Sequence, residues 1–156
     1  MGNALHAAAQ SGDVSFIRGY RSDIDEVDQN GDTALLIAIS CGQTEAVKAL
    51  ISAGANVNAA GKTFGMTALM MAVRSDKVET YTALIKANAD LNAVDNSGKT
   101  ALMHAAQKSR VDAVKALIAA KANVKLKSGD GKTALMYAAG VDEEEIIELL
   151  EKKKSK

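Results

Sequence analysis

The chain contains no proline and no tryptophan, a single cysteine, and aromatic residues at only 3%. Without proline there is neither a polyproline ligand nor a proline-rich linker. One cysteine excludes an intramolecular disulfide framework and a multi-cysteine zinc site. The shortage of aromatics leaves Ala, Leu, Ile, Val and Met to build the core. That suits close helix packing through small residues better than a β-sandwich. Charge of one sign is also lacking: 19 Lys and Arg face 19 Asp and Glu. A zero balance argues against a protein that holds nucleic acid mainly by bulk charge. No apolar run approaches the roughly 18 residues of a membrane-spanning helix. The opening MGNALHAAAQ carries no signal-peptide pattern, so the expected location is the cytoplasm. What is present is ordinary: 156 residues, 47% apolar and 24% charged. Neither a disordered nor a collagen-like chain fits, and the length suits one domain or one array of small units.

The array is visible at once. GDTALL, GMTALM, GKTALM and GKTALM recur, with Thr33, Thr67, Thr100 and Thr133 separated by 34, 33 and 33 residues. Gly31, Gly65, Gly98 and Gly131 precede them at the same spacing. A second string repeats out of phase as EAVKALISAGANVNA, ETYTALIKANADLNA and DAVKALIAAKANVKL, and NALHAAAQSGDVSFIRGY is a shortened first copy. A period in this range signals stacked supersecondary units. Each copy reads as helix, turn, helix and extended finger. The Thr is a fitting N-cap, because its hydroxyl can accept an orphan amide of the first turn. In the fourth copy the helices are predicted near Ala101–Lys108 and Val111–Ala119, the second with Val111, Val114, Leu117 and Ile118 on one face. Such a pair buries one side only and needs neighbours.

These residues resemble the ankyrin repeat family, whose pattern is roughly D-x-x-G-x-T-P-L-H-x-A-A followed by G-H-x-E-V-V-x-L-L-L-x-x-G-A-D-V-N-A. DQNGDTALLIAISCGQTEAVKALISAGANVNA and DNSGKTALMHAAQKSRVDAVKALIAAKANVKL follow it closely. The resemblance spans essentially the whole chain. It implies an all-α ankyrin-repeat solenoid of stacked helix-turn-helix pairs with finger-like turns. A single domain over residues 1–156 would comprise repeats near 1–27, 28–60, 61–94, 95–127 and 128–156. The departures are systematic. Ala34, Ala68, Ala101 and Ala134 replace the family Pro, giving up its fixed φ at the first helical position. The family His survives as His6; Leu36, Met70, Met103 and Met136 stand elsewhere, so apolar packing must replace its hydrogen bonds in the middle of the array.

The terminal copies should be caps. Asp142 to Glu145 open the last helix and Lys152 to Lys154 close it, in accord with the helix dipole, and Glu148 and Lys152 form an i,i+4 pair. Larger side chains, Phe16 and Tyr20, can close the first copy, and Tyr81 aligns with core positions Val47 and Val114. Zero net charge hides a segregation. Residues 1–60 hold three basic and seven acidic side chains, whereas residues 99–132 hold eight basic and two acidic. That basic block is either a solvated surface or a docking zone for an acidic partner.

Signs of catalysis are missing. His6 and His104 belong to different repeats, so neither should pair with Cys41. His104 aligns with Ile37, Met71 and Tyr137 and reads as a packing residue, while Asp28 and Asp95 read as turn residues. The patterns HEXXH, GXSXG, GXXXXGK[ST] and GXGXXG do not occur. No enzyme, no cofactor and no metal are expected. The resemblance implies a protein–protein interaction module whose partner sits on the concave face. The matching positions are Gln29, Asn30, Asp32, Ser40 and Cys41 in repeat two. In repeat three they are Thr63, Phe64, Met66, Arg74 and Ser75. In repeat four they are Asn96, Ser97, Lys99, Gln107 and Lys108. In repeat five they are Asp130, Lys132 and Val141, with Lys127 just before. These positions vary from copy to copy while the TAL and ALI positions do not. The finger GKTFGMT is one residue longer than the others; Phe64 is expected to fold over the adjacent finger and Met66 to be exposed. The expected partner of a monomeric chain is another protein, with an acidic surface as one form of it. The alternatives are a regulatory or stabilising subunit of an enzyme, and a nucleic-acid or nucleotide binder using residues 99–132.

Overall fold

The computed structural model describes residues 3–155; residues 1, 2 and 156, which the terminal repeats include, lie outside the described residues. Among the described residues ten helices follow one another in pairs. They are α1 (Ala4–Ser11) with α2 (Val14–Gly19), α3 (Ala34–Ser40) with α4 (Thr44–Ser52), α5 (Ala68–Arg74) with α6 (Val78–Lys86), α7 (Ala101–Gln107) with α8 (Val111–Ala119), and α9 (Ala134–Gly140) with α10 (Glu144–Lys154). First helices stack on first helices and second on second along the chain. The all-α solenoid expected from the repeat is what forms; among the described residues the only β structure is two isolated bridges, Val27 with Thr33 and Ala60 with Thr67.

The repeated Thr does what its position demands. Thr33, Thr67, Thr100 and Thr133 are extended, and each side chain accepts the amide of the third helical residue, Leu36, Met70, Met103 or Met136. This satisfies one of the amides that a helix start leaves unpaired. Asn3 does the same for α1 through His6 N–H at 3.1 Å. Ala after the cap costs no side-chain entropy in the helix and substitutes for a residue whose φ is fixed.

The core runs as two threads. Leu5, Leu35, Leu69 and Leu102 fill the first-helix row, and Ile17, Leu50, Leu84, Leu117 and Leu150 the second; all are buried. Ala38, Ala72, Ala105 and Ala138 are fully buried between them, small enough for helices to approach closely. Tyr81 is buried, as its alignment predicts. Leu36, Met70 and Met103, the replacements for the family His, are also buried. His6 keeps its polar work: its Nε2–H donates to Glu26 O at 2.8 Å while Nδ1 accepts Asn3 N–H at 3.0 Å. At the open N-terminal end Phe16 and Tyr20 lie with ring centroids 6.0 Å apart. At the other end Glu148 and Lys152 do not form the ion pair their spacing suggests; Lys115 instead reaches Glu145 at 2.7 Å, tying α8 to α10.

A ladder of side chains joins consecutive copies. Asp25 Oδ1 accepts Asn56 N–H at 2.8 Å, Asn58 Oδ1 accepts Asp90 N–H at 2.7 Å, and Asn92 Oδ1 accepts Asn123 N–H at 2.9 Å. The Asn and Asp of the NVNA-type strings therefore close backbone hydrogen bonds across repeats, which local periodicity does not reveal.

Candidate functional site

Three of the fingers share one turn. Asp28 N–H donates to Asp32 O, Asp95 N–H to Lys99 O and Ser128 N–H to Lys132 O, at 2.9 to 3.0 Å. The first residue also grips the turn from inside: Asp28 Oδ1 accepts Asn30 and Asp32 amides, and Asp95 Oδ1 accepts those of Ser97 and Lys99. These bonds, that to Asp32 N–H first, hold the Asp28 carboxyl below its ordinary range. The finger that opens repeat three, residues 61–67 and here the third finger, differs. Gly61 N–H reaches Met66 O, one residue further on, and Gly61 has no carboxylate to offer. The next finger supplies the grip instead: Asn96 N–H donates to Phe64 O at 3.0 Å and Asn96 Nδ2 to Thr63 O at 3.2 Å. Gly65 is at φ 67°, and a Cβ there would collide with Asn96, so the turn requires glycine on two counts.

Two expectations for this finger are reversed. Phe64 is 70% exposed rather than folded over its neighbour, because its carbonyl is tied to Asn96 and the side chain is turned outward. Met66 is half-buried against the core rather than exposed, with the Arg74 guanidinium on its sulfur at 3.5 Å.

Between the third and fourth fingers and the ends of α3, α5 and α7 lies an open groove of about 630 Å³. Of the sequence-predicted positions it gathers Ser40, Phe64, Met66, Arg74, Ser75, Asn96, Ser97 and Lys99. Gln107 belongs to the same edge through its 3.1 Å bond to Lys99 Nζ, and Asp130 borders a shallower recess with Asn96, Ser97 and Lys99. Gln29, Asn30, Cys41, Lys108, Lys127, Lys132 and Val141 are exposed and Asp32 half-buried, outside the groove.

Sequence reasoning missed part of the floor. Ile39, Met71, Asp95 and His104 also line the groove. His104 is buried, but not as a plain packing residue: its Nε2–H donates to Asp95 Oδ2 at 2.7 Å. Asp95 is thus more than a turn residue. Burial would raise its carboxyl, yet the bonds from Lys99 N–H, His104 and Ser97 N–H outweigh that and hold it below the ordinary value. Burial holds the His104 imidazole below its ordinary value against the pull of Asp95, with Arg74 and Lys99 adding to the lowering. A neutral His donating to a carboxylate follows from both directions. The signal was available: Asp95 and His104 lie nine residues apart, spanning one finger and one helical turn. The next repeat solves the same problem with other residues. Tyr137 Oη donates to Ser128 Oγ at 3.0 Å and Asp130 Oδ1 at 3.2 Å, and Ser128 is bonded to Asp130. The Tyr137 ring lies 4.9 Å from Lys99 Nζ and 5.8 Å from Lys132 Nζ, within cation–π range.

Three cations of the basic block have carboxylate neighbours. Arg110 donates to Arg74 O at 3.0 Å and stands 3.9 Å from Asp76, Lys115 is paired with Glu145, and Lys132 lies 3.8 Å from Asp130. Among the described residues no group of three or more His, Cys, Asp or Glu is placed to hold a metal ion, and no helix is long and apolar enough to cross a membrane.

No curated protein matches the chain. The family model described as Ankyrin repeats (3 copies) matches residues 5–95 and 79–156. The matched residues hold the Thr-capped first helices, their paired second helices and the fingers between them, and the chain belongs to the ankyrin repeat family.

Proposed function

We propose that the chain is a non-catalytic module that binds another protein on its concave face, across the finger tips and the exposed ends of the first helices, and that the partner brings an acidic surface to the repeat-four side. Ankyrin repeats in general are protein–protein interaction modules, and that much follows from membership. The observation that carries the finer reading is the contrast between framework and groove. The TAL and ALI positions repeat and are buried or half-buried, whereas the predicted groove positions vary from copy to copy and are exposed or half-buried. An exposed Phe with a fixed backbone beside unpaired cations is the kind of anchor that protein interfaces use. A catalytic role finds no support in the His104–Asp95 pair: among the described residues no Ser, Thr or Cys side chain is hydrogen-bonded to His104. The carboxylates beside Arg110, Lys115 and Lys132 weigh against a nucleic-acid face.

The experiment is site-specific photo-crosslinking in the native source. A photoreactive residue at Ser97, in the groove, should join the chain to one or a few proteins. The same residue at Lys86, on the second helix of repeat three, should not. Equal products from both positions, or products from Lys86 alone, would remove the groove from the partner's footprint.

A further inference from the structure

We propose that the groove between the third and fourth fingers recognises an acidic side chain lying next to a large apolar one, so that the partner presents an extended acidic–hydrophobic segment of its chain. This rests on the protein-binding reading above and specifies its chemistry.

The charge of the groove is one-sided. Arg74 is half-buried at the end of α5, and its guanidinium contacts the Met66 sulfur at 3.5 Å. Lys99 Nζ meets the neutral Gln107 Oε1 at 3.1 Å. Among the described residues neither cation lies within ion-pair distance of a carboxylate; the nearby acids Asp76 and Asp130 face Arg110 and Lys132. Asp95 is the one carboxylate that lines the groove. Its side chain is 7% exposed and is engaged by Ser97 N–H, Lys99 N–H and His104. The negative charge is thus spent inward and the two cations are left facing the opening. A partner carboxylate there would gain charge-assisted hydrogen bonds, and Arg offers it a planar fork.

The walls call for more than an anion. Ile39, Met66 and Met71 supply apolar floor, and Phe64 stands exposed at the rim. The Phe64 main chain is already fixed by Asn96, so little backbone freedom is lost when it is covered. A free phosphate or an RNA backbone would use the cations and leave Phe64 and Met71 wet. A peptide with Asp or Glu beside Leu, Ile, Phe or Trp uses both halves, and its alternating side chains can enter the groove from an extended strand.

The test is selection of a displayed library of short random peptides on the full chain, followed by fluorescence anisotropy of the enriched sequences. Enriched peptides should pair Asp or Glu with a large apolar residue. Their affinity should fall about tenfold or more on Phe64→Ala and on Arg74→Ala, fall by a smaller factor on Arg74→Lys, which keeps the charge and loses the fork, and not move on Lys86→Ala. Selection repeated on Arg74→Glu should enrich basic residues at the acidic position, a reversal that a merely structural role for Arg74 would not produce. Peptides without a carboxylate, an affinity indifferent to Arg74→Ala and Arg74→Glu, or displacement of the acidic peptide by an equimolar phosphorylated peptide or single-stranded RNA would overturn the proposal. The broader reading fails separately: if affinity is lost on Ser97→Arg or Lys132→Glu while Arg74 is indifferent, the face stands and this pocket falls. If none of these substitutions moves any selected peptide, both fall.

Discussion

At the scale of single residues the buried pair in the groove floor has a measurable consequence. His104 in the folded chain is held below 6.5, its ordinary value, first by burial. Unfolded, it takes up a proton as the pH falls through that value; folded, it does so only at lower pH. Stability from the neutral imidazole is therefore complete above the unfolded pKa and is lost as the pH drops below it. Asp95 is lowered too, from 3.8, so its contribution lies further into acid and leaves the window above untouched. The melting temperature should decline between about pH 7 and about pH 5. His104→Met, which installs the residue found at the aligned position 71, should flatten that part of the profile. Parallel slopes for the two proteins in thermal melts would show that His104 is not the group responsible. The pair also shows how far single residues were legible. In the sequence His104 reads as packing because it aligns with Ile37, Met71 and Tyr137, and Asp95 reads as a turn residue because it recurs with Asp28. Each alignment was right about position and silent about the nine-residue spacing that joins them. Phe64 and Met66 exchanged roles for a similar reason: which of them turns inward depends on Asn96 of the next repeat, a contact local reading does not supply.

At the scale of elements, most of the fold was legible because the signals are local. Helices predicted near Ala101–Lys108 and Val111–Ala119 appear at Ala101–Gln107 and Val111–Ala119, since the Thr cap sets the start and the apolar face sets the length. The cross-repeat Asp and Asn ladder was not legible, because its partners are about one period apart and look like ordinary turn residues. The ends of the second helices hold a further point. Gly54, Asn88 and Lys121 occupy the same left-handed position after α4, α6 and α8, with φ of 91°, 62° and 71°. Glycine is at ease there, Asn tolerates it, and Lys has no side-chain device to offset the strain. A residue with a Cβ costs about 1–2 kcal/mol in this conformation, and glycine loses roughly 0.5–1 kcal/mol more chain entropy on folding. Lys121→Gly should thus stabilise the protein by about 0.5–1 kcal/mol on the same balance. Chemical denaturation with an unchanged m-value is the measurement. A destabilised variant would mean that Lys121 makes a compensating contact along its stem.

For the whole molecule, the array carries its own control for what stacking contributes. Met103 and Met136 occupy the same position in GKTALM, preceded by the same cap and the same turn glycine. Met103 is 1% exposed beneath the next helix pair, whereas Met136 is 52% exposed and among the described residues no further pair covers it. Leu135 and Ala139 are likewise more open than their counterparts Leu102 and Ala106. Local sequence is held constant, so the difference is the contribution of a neighbour. Burying a side chain of this size is worth roughly 1.5–3 kcal/mol, and a charge forced into the same place without a partner costs more than the lost packing. Met103→Lys should therefore lower stability by at least about 3 kcal/mol and drive the chain toward aggregation. Met136→Lys should leave the melting temperature nearly where it was, since its ammonium stays in water. In a chain whose units stabilise one another only through contact with the next, the same reasoning makes removal of residues 128–156 equivalent to opening the Met103 face to solvent. The truncated protein should melt lower by an amount comparable to Met103→Lys and associate through the exposed surface, read by calorimetry and by sedimentation. Equal effects of the two lysine substitutions would mean that Met103 owes its burial to its own helix pair, and the nearest-neighbour account of this array would have to be given up.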